Sequence, residues 1–477
     1  MTLEKTGPGM VEDEGVFFHP DELCDFNALT ESDAPAVSKR SPIDGWFQPE
    51  LILEGPNVEA LLVDLEGMIT QREHRVRARK AKDLATFRRT LMSVVASAFW
   101  GEFWPMNPAI GYFRGSGAYR GCYWPAWLTP DNLISVIDGA AAAGLLETTL
   151  GKRACWPEDG TCSTFRMAPS LLQKLCEYDL VFTHLKLVGQ DVPPIVLKGG
   201  DRKKINLNAD ATPVAEEMAK RVIAYNAFLA DQRLSLDCPR EVTVELEREM
   251  RQRASTAPTF GKPFRYRRRP EPFRSVLYRV FNDGRWDHGG RFVGGWWQQI
   301  PSRFRPYISI NGHRTVELDY SGFSLRAIYH SIGIDYREDP YSLAQLEALQ
   351  LDQDYRPEIK RLVQGILNCP PEKSLLHINI GRKLPRRARR TRVIEWLTEK
   401  HARIAHTFRT REGLRIQGLE STIVDRILEA GKQAGTVVLP IHDSYIVPSD
   451  RIDWLKTQMK DRYVEVFGFE PIIQEKG

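Results

Sequence analysis

The chain has 477 residues, of which 42% are hydrophobic, 10% aromatic and 27% charged: enough for two to four folded units, with the balance of a globular protein and not of a disordered one. No apolar run approaches the roughly 20 residues a membrane helix needs, and the start, MTLEKTGPGM, lacks a basic region ahead of an apolar one. Seven cysteines (Cys24, Cys122, Cys155, Cys162, Cys176, Cys238, Cys369) form no CxxC pair, so a disulfide framework, a zinc site, export and a membrane span are not expected, and the chain reads as soluble, reduced and intracellular.

Taken in chain order, residues 1–56 are acidic and carry Gly, Pro and Ser, which predicts a mobile tail. Residues 57–70 and 78–100 carry apolar residues at helical spacing, the second with Leu84, Phe87, Leu91, Val94 and Val95. Thr129 is placed to cap a helix opened by Pro130, with Leu133, Ile134, Ile137 and Ala141 on one face and Gly144 beyond its end. A hairpin over 145–150 and 163–167, with PEDG at 157–160, and a helix over 170–175 follow. This order gives 57–185 a winged-helix-like pattern, in which Cys155 and Cys162 are ordinary wing residues; a helical domain with a surface hairpin fits it as well. Residues 186–272 show one helix, 213–229, and a long polar connection with loops at Pro239 and 257–263.

Net charge is only +4, but cations gather at 72–82, 265–269 (RYRRR) and 382–392 (GRKLPRRARRTR). Each cluster alone suits a solvated helix face. Three of them, with Phe264, Tyr266, Trp296 and Trp297 near by, point to a nucleic-acid partner rather than a membrane surface.

Residues 314–321 (RTVELDYS) alternate Val316, Leu318 and Tyr320 with Glu317 and Asp319, a half-buried strand with two carboxylates on one face, and helical spacing follows at Leu325, Ile328 and Tyr329. Residues 436–447 (TVVLPIHDSYIV) read as a hairpin with Asp443 at its tip. Between them, 356–368 (RPEIKRLVQGILN) is a helix on which Lys360, Gln364 and Asn368 share one side, with Arg356 at its start ahead of Pro357. Cations and amides facing two separated acids suit nucleotidyl transfer. There a metal pair activates a hydroxyl and stabilises the leaving pyrophosphate, while cations neutralise the triphosphate.

Asp319-Tyr320-Ser321, Arg356-x-x-x-Lys360 and His442-Asp443 resemble motifs A, B and C of the A-family polymerases, which unite DNA polymerase I-type enzymes with single-subunit RNA polymerases. Gly290-Arg291-Phe292 with Gln298-Gln299-Ile300-Pro301 resembles the segment that precedes motif A. Ile416-Gln417-Gly418 resembles the element before motif C, and 467–473 the last palm strand. The resemblance implies an α+β fold: 273–477 as a palm with an antiparallel sheet and a reduced fingers insertion at about 331–415, and 186–272 as a connector or thumb-like region.

By the same resemblance Asp319 and Asp443 are metal ligands for two Mg2+ ions, with Mn2+ as the alternative, and His442 belongs with them in the catalytic set, ordering the hairpin and touching the primer end, with structural support as its alternative. Arg356, Lys360, Arg361, Gln364, Ser324 and Tyr320 face the nucleotide; Arg291, Gln298, Gln299 and Gln417 face primer and template. Arg386, Arg387, Arg389 and Arg390 are expected to bind template phosphates, and Glu317 to be a solvent or helix partner. Ser324 stands where the family's DNA polymerases carry bulk against a ribose 2′-hydroxyl, HDS replaces HDE, Asn368 stands where an aromatic is usual, and no paired-acid exonuclease pattern stands out in 57–270. These departures favour a cytoplasmic, nucleoid-associated primase-polymerase of mobile elements. It would act on single-stranded DNA, primer, NTPs and dNTPs, with a replicative helicase or small accessory protein as partner. A primer-extending polymerase and a non-catalytic DNA-binding protein are the alternatives.

Overall fold

The start chemistry written in the sequence sets the helices. Thr129 accepts a hydrogen bond from the Asn132 N–H (3.2 Å) ahead of Pro130, and Thr212 accepts one from the Ala215 N–H (3.2 Å) ahead of Pro213. The computed structural model describes residues 45–73, 78–104, 109–114, 125, 127–152, 161–188, 192–199, 212–256, 271–350, 353–371, 373–375, 378, 380, 384 and 388–476. The chain divides into two compact units, one of Pro20–Val192 with Ser235–Arg274, the other of Met1–His19, Pro193–Leu234 and Ser275–Gly477.

The first unit begins with β1 (Gly45–Trp46), β2 (Leu51–Leu53), α1 (Val58–Arg72) and α2 (Ala81–Glu102). It continues with β3 (Ile110–Tyr112), α3 (Pro130–Ala142), β4 (Leu146–Thr149), β5 (Ser163–Met167), α4 (Pro169–Glu177) and β6 (Leu185–Leu187). α2 is the core helix: from Thr90 to Gly101 every residue but Met92 is buried. The antiparallel pair β4–β5 belongs to a four-stranded sheet in the order β1–β3–β5–β4, so the expected hairpin is part of a larger sheet. Its tip, residues 1–44 of the tail expected over 1–56, and the cluster at 265–269 lie outside the described residues, while 45–56 carry β1 and β2 with Phe47, Leu51 and Leu53 buried.

Next along the chain are β7 (Ile195–Leu197), α5 (Pro213–Ala230), β8 (Leu234–Leu236) and α6 (Arg240–Thr256). α6 occupies ground where the sequence predicts a polar connection. Over 240–252, the part of the helix whose burial is described, the buried positions are Thr243, Leu246 and Glu247, a single apolar residue among them and too few for an apolar period to show.

The second unit then carries β9 (Tyr278–Phe281), β10 (Gly289–Val293), β11 (Ile308–Ile310), β12 (His313–Tyr320), α7 (Phe323–Ser331) and α8 (Ala344–Glu347). After these come α9 (Arg356–Asn368), α10 (Arg390–Lys400), α11 (Glu412–Gln433), β13 (Leu439–Ile441), β14 (Ser444–Pro448), α12 (Ile452–Phe467) and β15 (Ile473–Lys476). β12 is the spine of an antiparallel sheet, paired along one edge with β14 and along the other with β11 at its start and β15 at its end. The alternation of 314–321 sorts the two faces. Leu318, Tyr320, Tyr445 and Val447 point one way into the core, where Tyr320 meets Phe323 and Tyr463; Glu317, Asp319 and Ser444 point the other.

Two expectations change here. The last strand is β15, not 467–473, because α12 runs through Phe467 before Gly468 ends it with φ +73°. Trp296 and Trp297 are core residues, both buried, with the Trp297 indole N–H on the Pro440 carbonyl (3.0 Å); they offer no face for stacking bases.

Candidate active site

Antiparallel register places the acids. Asp319 faces Ser444 across the β12–β14 ladder, and the Tyr320 N–H donates to the Asp443 carbonyl (3.2 Å), so the two-residue turn His442–Asp443 sits beside the end of β12. His442 turns with φ +56°, a left-handed conformation costly for a side chain of this size, and its ring is buried. Burial, with Arg291, Arg305 and Lys476 near by, holds the imidazole well below its usual range and therefore neutral.

Glu317 and Asp319 share a face but not a fate. Glu317 accepts from Arg305 Nη1 at 2.9 and 3.1 Å and from the Ser444 hydroxyl at 2.7 Å, so its charge is fully engaged. Among the described residues Asp319 has only long side-chain contacts: Lys476 Nζ at 3.4 Å from Oδ1 and Gln474 Nε2 at 3.5 Å from Oδ2. Burial and then the Asp443 carboxylate push the Asp319 carboxyl above the usual range, against the pull of Lys476 and Lys360. A buried acid raised by a second acid and short of hydrogen bonds is the environment that a cation relieves.

α9 brings the opposite charge. Lys360 acts on Asp319, and one turn further Gln364 Nε2 donates to the Ser324 hydroxyl at 3.0 Å, which joins α9 to α7. Asn368 continues the row, donating to the Gln364 carbonyl and packed so closely on α11 that a Cβ at Gly413 would meet its Oδ1 at 2.3 Å. Arg356 and Arg361 are engaged elsewhere. Arg356 Nε pairs with Asp339 (2.9 Å) above the Tyr341 ring, and Arg361 Nη1 donates to the Ile380 carbonyl (3.2 Å) and lies 3.7 Å from Glu358.

The remaining predicted residues divide between core and surface. The Tyr320 ring is in the core with its hydroxyl on the Met459 carbonyl (2.6 Å), opposite to the Asp319 face, so only its backbone reaches the site. Gln298 is buried and donates to the carbonyls of Phe292 and Pro440, which spends the amide on packing. Arg291 forms a two-point ion pair with buried Glu420 (3.0 and 2.8 Å), and Gln417 is buried in α11. Gln299 is half-buried; Arg389 is exposed, and Arg390 donates to the Leu375 carbonyl (3.4 Å). Arg386 and Arg387 lie outside the described residues.

Among the described residues no group of three or more His, Cys, Asp or Glu gathers as a metal cage. Asp319 and Asp443 nevertheless fit Mg2+, which takes one or two carboxylates and completes its shell with water and substrate phosphates. Three residues that contact this acid face escaped the sequence reading: Arg305, Gln474 and Lys476. Arg305 lies in a 3-10 turn with no periodicity to mark it. Gln474 and Lys476 alternate on one face of β15 and were legible only once that strand was placed.

No family model and none of the curated proteins matches the chain. A solved structure similar to it is the POL domain of Pol1 from M. smegmatis in complex with DNA primer-template and dNTP, at 12% identity and a TM-score of 0.29, covering 58% of this chain. The chain spans 56% of that domain's length. Among the described residues no helix is long and apolar enough to cross a membrane.

Proposed function

We propose that the chain is a template-dependent nucleotidyltransferase, a primase-polymerase that makes short primers on single-stranded DNA and accepts ribonucleotides. The observation that supports this most is the juxtaposition of Asp319, left short of hydrogen bonds, with Asp443, under the charge of Lys360 from α9. Asp319 and Asp443 would hold Mg2+, or Mn2+; bound there, the ions would activate the primer hydroxyl and stabilise the leaving pyrophosphate. Lys360 meets the triphosphate. Gln364 and Ser324 form a polar wall small enough to admit a 2′-hydroxyl. Arg356 and Arg361 reach a nucleotide only by leaving Asp339 and Ile380. Arg389, with Arg386, Arg387 and Arg390 of the same cluster, and Gln299 serve the nucleic acid directly, whereas Arg291, Gln298 and Gln417 shape the surface beneath it. A replicative helicase or small accessory protein would engage the first unit.

The deciding experiment incubates the protein with single-stranded DNA, Mg2+ and labelled NTPs or dNTPs, with and without a primer. Short products without primer are expected, and none from Asp319→Asn or Asp443→Asn. Synthesis only on a primer would move the reading to a primer-extending polymerase; none in either format leaves DNA binding without catalysis.

A further inference from the structure

Lys476 lies opposite Glu317 in the β12–β15 register, and its ammonium reaches diagonally to Asp319. It stands 3.4 Å from Asp319 Oδ1 and 3.6 Å from Glu317 Oε1. Glu317 already has Arg305 and Ser444 at shorter range, so the charge of Lys476 is left for Asp319. The two cations differ in freedom. Arg305 is tied by its Nε to the Ile300 carbonyl (2.9 Å) as well as to Glu317. Lys476 carries its charge on a flexible four-carbon stem and keeps 15% of its side chain exposed, which is a route outward. Asp319 is thus approached on Oδ1 by a movable cation, on Oδ2 by the Gln474 amide, and is repelled by Asp443.

We propose that Lys476 is the internal counter-ion of the acid pair: its ammonium balances Asp319 while no divalent cation is bound, yields that place when one binds, and so sets the affinity of the site for the cation. The proposal rests on the reading of Asp319 and Asp443 as cation ligands. A role confined to holding β15 in place predicts something else, because the ladder of Glu317 to Tyr320 with Ile473 to Lys476 already does that.

The test is Mn2+ binding to the full chain without nucleotide, followed by electron paramagnetic resonance of the free ion, in wild type, Lys476→Arg, Lys476→Met and Asp319→Asn. Lys476→Met, which removes a competing charge at contact distance, is expected to bind Mn2+ on the order of tenfold more tightly, and Lys476→Arg to stay near wild type. Affinity that is unchanged or weaker in Lys476→Met, with binding lost in Asp319→Asn, overturns the counter-ion and spares the acids. Binding that survives Asp319→Asn overturns the acids and the counter-ion together. A second measurement needs no variant: brief acetylation of wild type, read by mass spectrometry, is expected to label Lys476 several-fold more when Mn2+ saturates the site. Equal labelling overturns the proposal.

Discussion

Two carboxylates, two residues apart on one strand face, carry opposite energetic signs. Glu317 is one half of a buried ion pair, and removing its charge leaves the Arg305 guanidinium without that counter-charge. Glu317→Gln is therefore expected to destabilise the protein by on the order of 3 kcal/mol, read by urea unfolding. Burial and the Asp443 carboxylate both disfavour the charged form of Asp319, so Asp319→Asn is expected to be neutral or stabilising when no divalent cation is present. A loss comparable to that of Glu317→Gln would make Asp319 a structural carboxylate. Ser324 gives the sharpest test of substrate. Its hydroxyl accepts from Gln364 in a half-buried setting with no bulk to exclude a ribose hydroxyl. Wild type should incorporate NTPs with efficiency comparable to dNTPs, since an open polar pocket discriminates little against an added hydroxyl. Ser324→Glu should suppress NTP use selectively; single-nucleotide incorporation measures both, and strong NTP rejection by wild type would remove the primase reading's main support.

At the scale of elements, glycines mark where backbones meet. A Cβ at Gly290, with φ +81°, would meet the Phe281 ring at 2.5 Å and Ser421 Oγ at 2.8 Å; one at Gly418 would stand 2.3 Å from the Asp287 carbonyl oxygen. These contacts seat α11 on the β9–β10 sheet and explain physically why glycine stands beside Arg291 and Gln417. Gly418→Ala is expected to destabilise by roughly 1–3 kcal/mol, because the obstacle is backbone and not a flexible side-chain end. An unchanged urea midpoint would mean that α11 can move away at no cost. Legibility followed the same physics. α3 and α5 were readable because caps, prolines and apolar spacing act locally, and α9 by its proline and spacing; α6 was not, because the buried positions described in it, Thr243, Leu246 and Glu247, carry no apolar period. β15 was misplaced because an aromatic, apolar run at 467–473 looks like a strand, whereas α12 uses Phe467 as its last buried residue.

Over the whole molecule, burial pushes three imidazoles of the second unit, His330, His401 and His442, below their ordinary value of 6.5. Each binds its proton less firmly in the folded than in the unfolded chain, so unfolding takes up protons and stability falls as pH drops through 6.5. Asp319 acts in the opposite sense: its raised carboxyl takes up a proton in the folded state first, which favours folding as pH falls. The loss of stability between about pH 7.5 and about pH 5.5 should therefore be steeper in Asp319→Asn than in wild type. Equal slopes in the two proteins would show that folded Asp319 holds no extra proton over that interval.

By itself the sequence determined the strand with Glu317 and Asp319 on one face, the turn carrying Asp443, and the helix row Lys360–Gln364–Asn368. Alternation, turn chemistry and helical spacing are short-range properties that the chain carries wherever it goes. Only the tertiary structure decided what each charge meets. It gave Arg305 to Glu317, Asp339 to Arg356 and Glu420 to Arg291, and it brought Lys476 against Asp319 from 157 positions along the chain (476 − 319). A charge has no partner until the fold removes water and sets distances of a few ångströms, and those distances are set by strand register and helix packing between residues far apart in sequence.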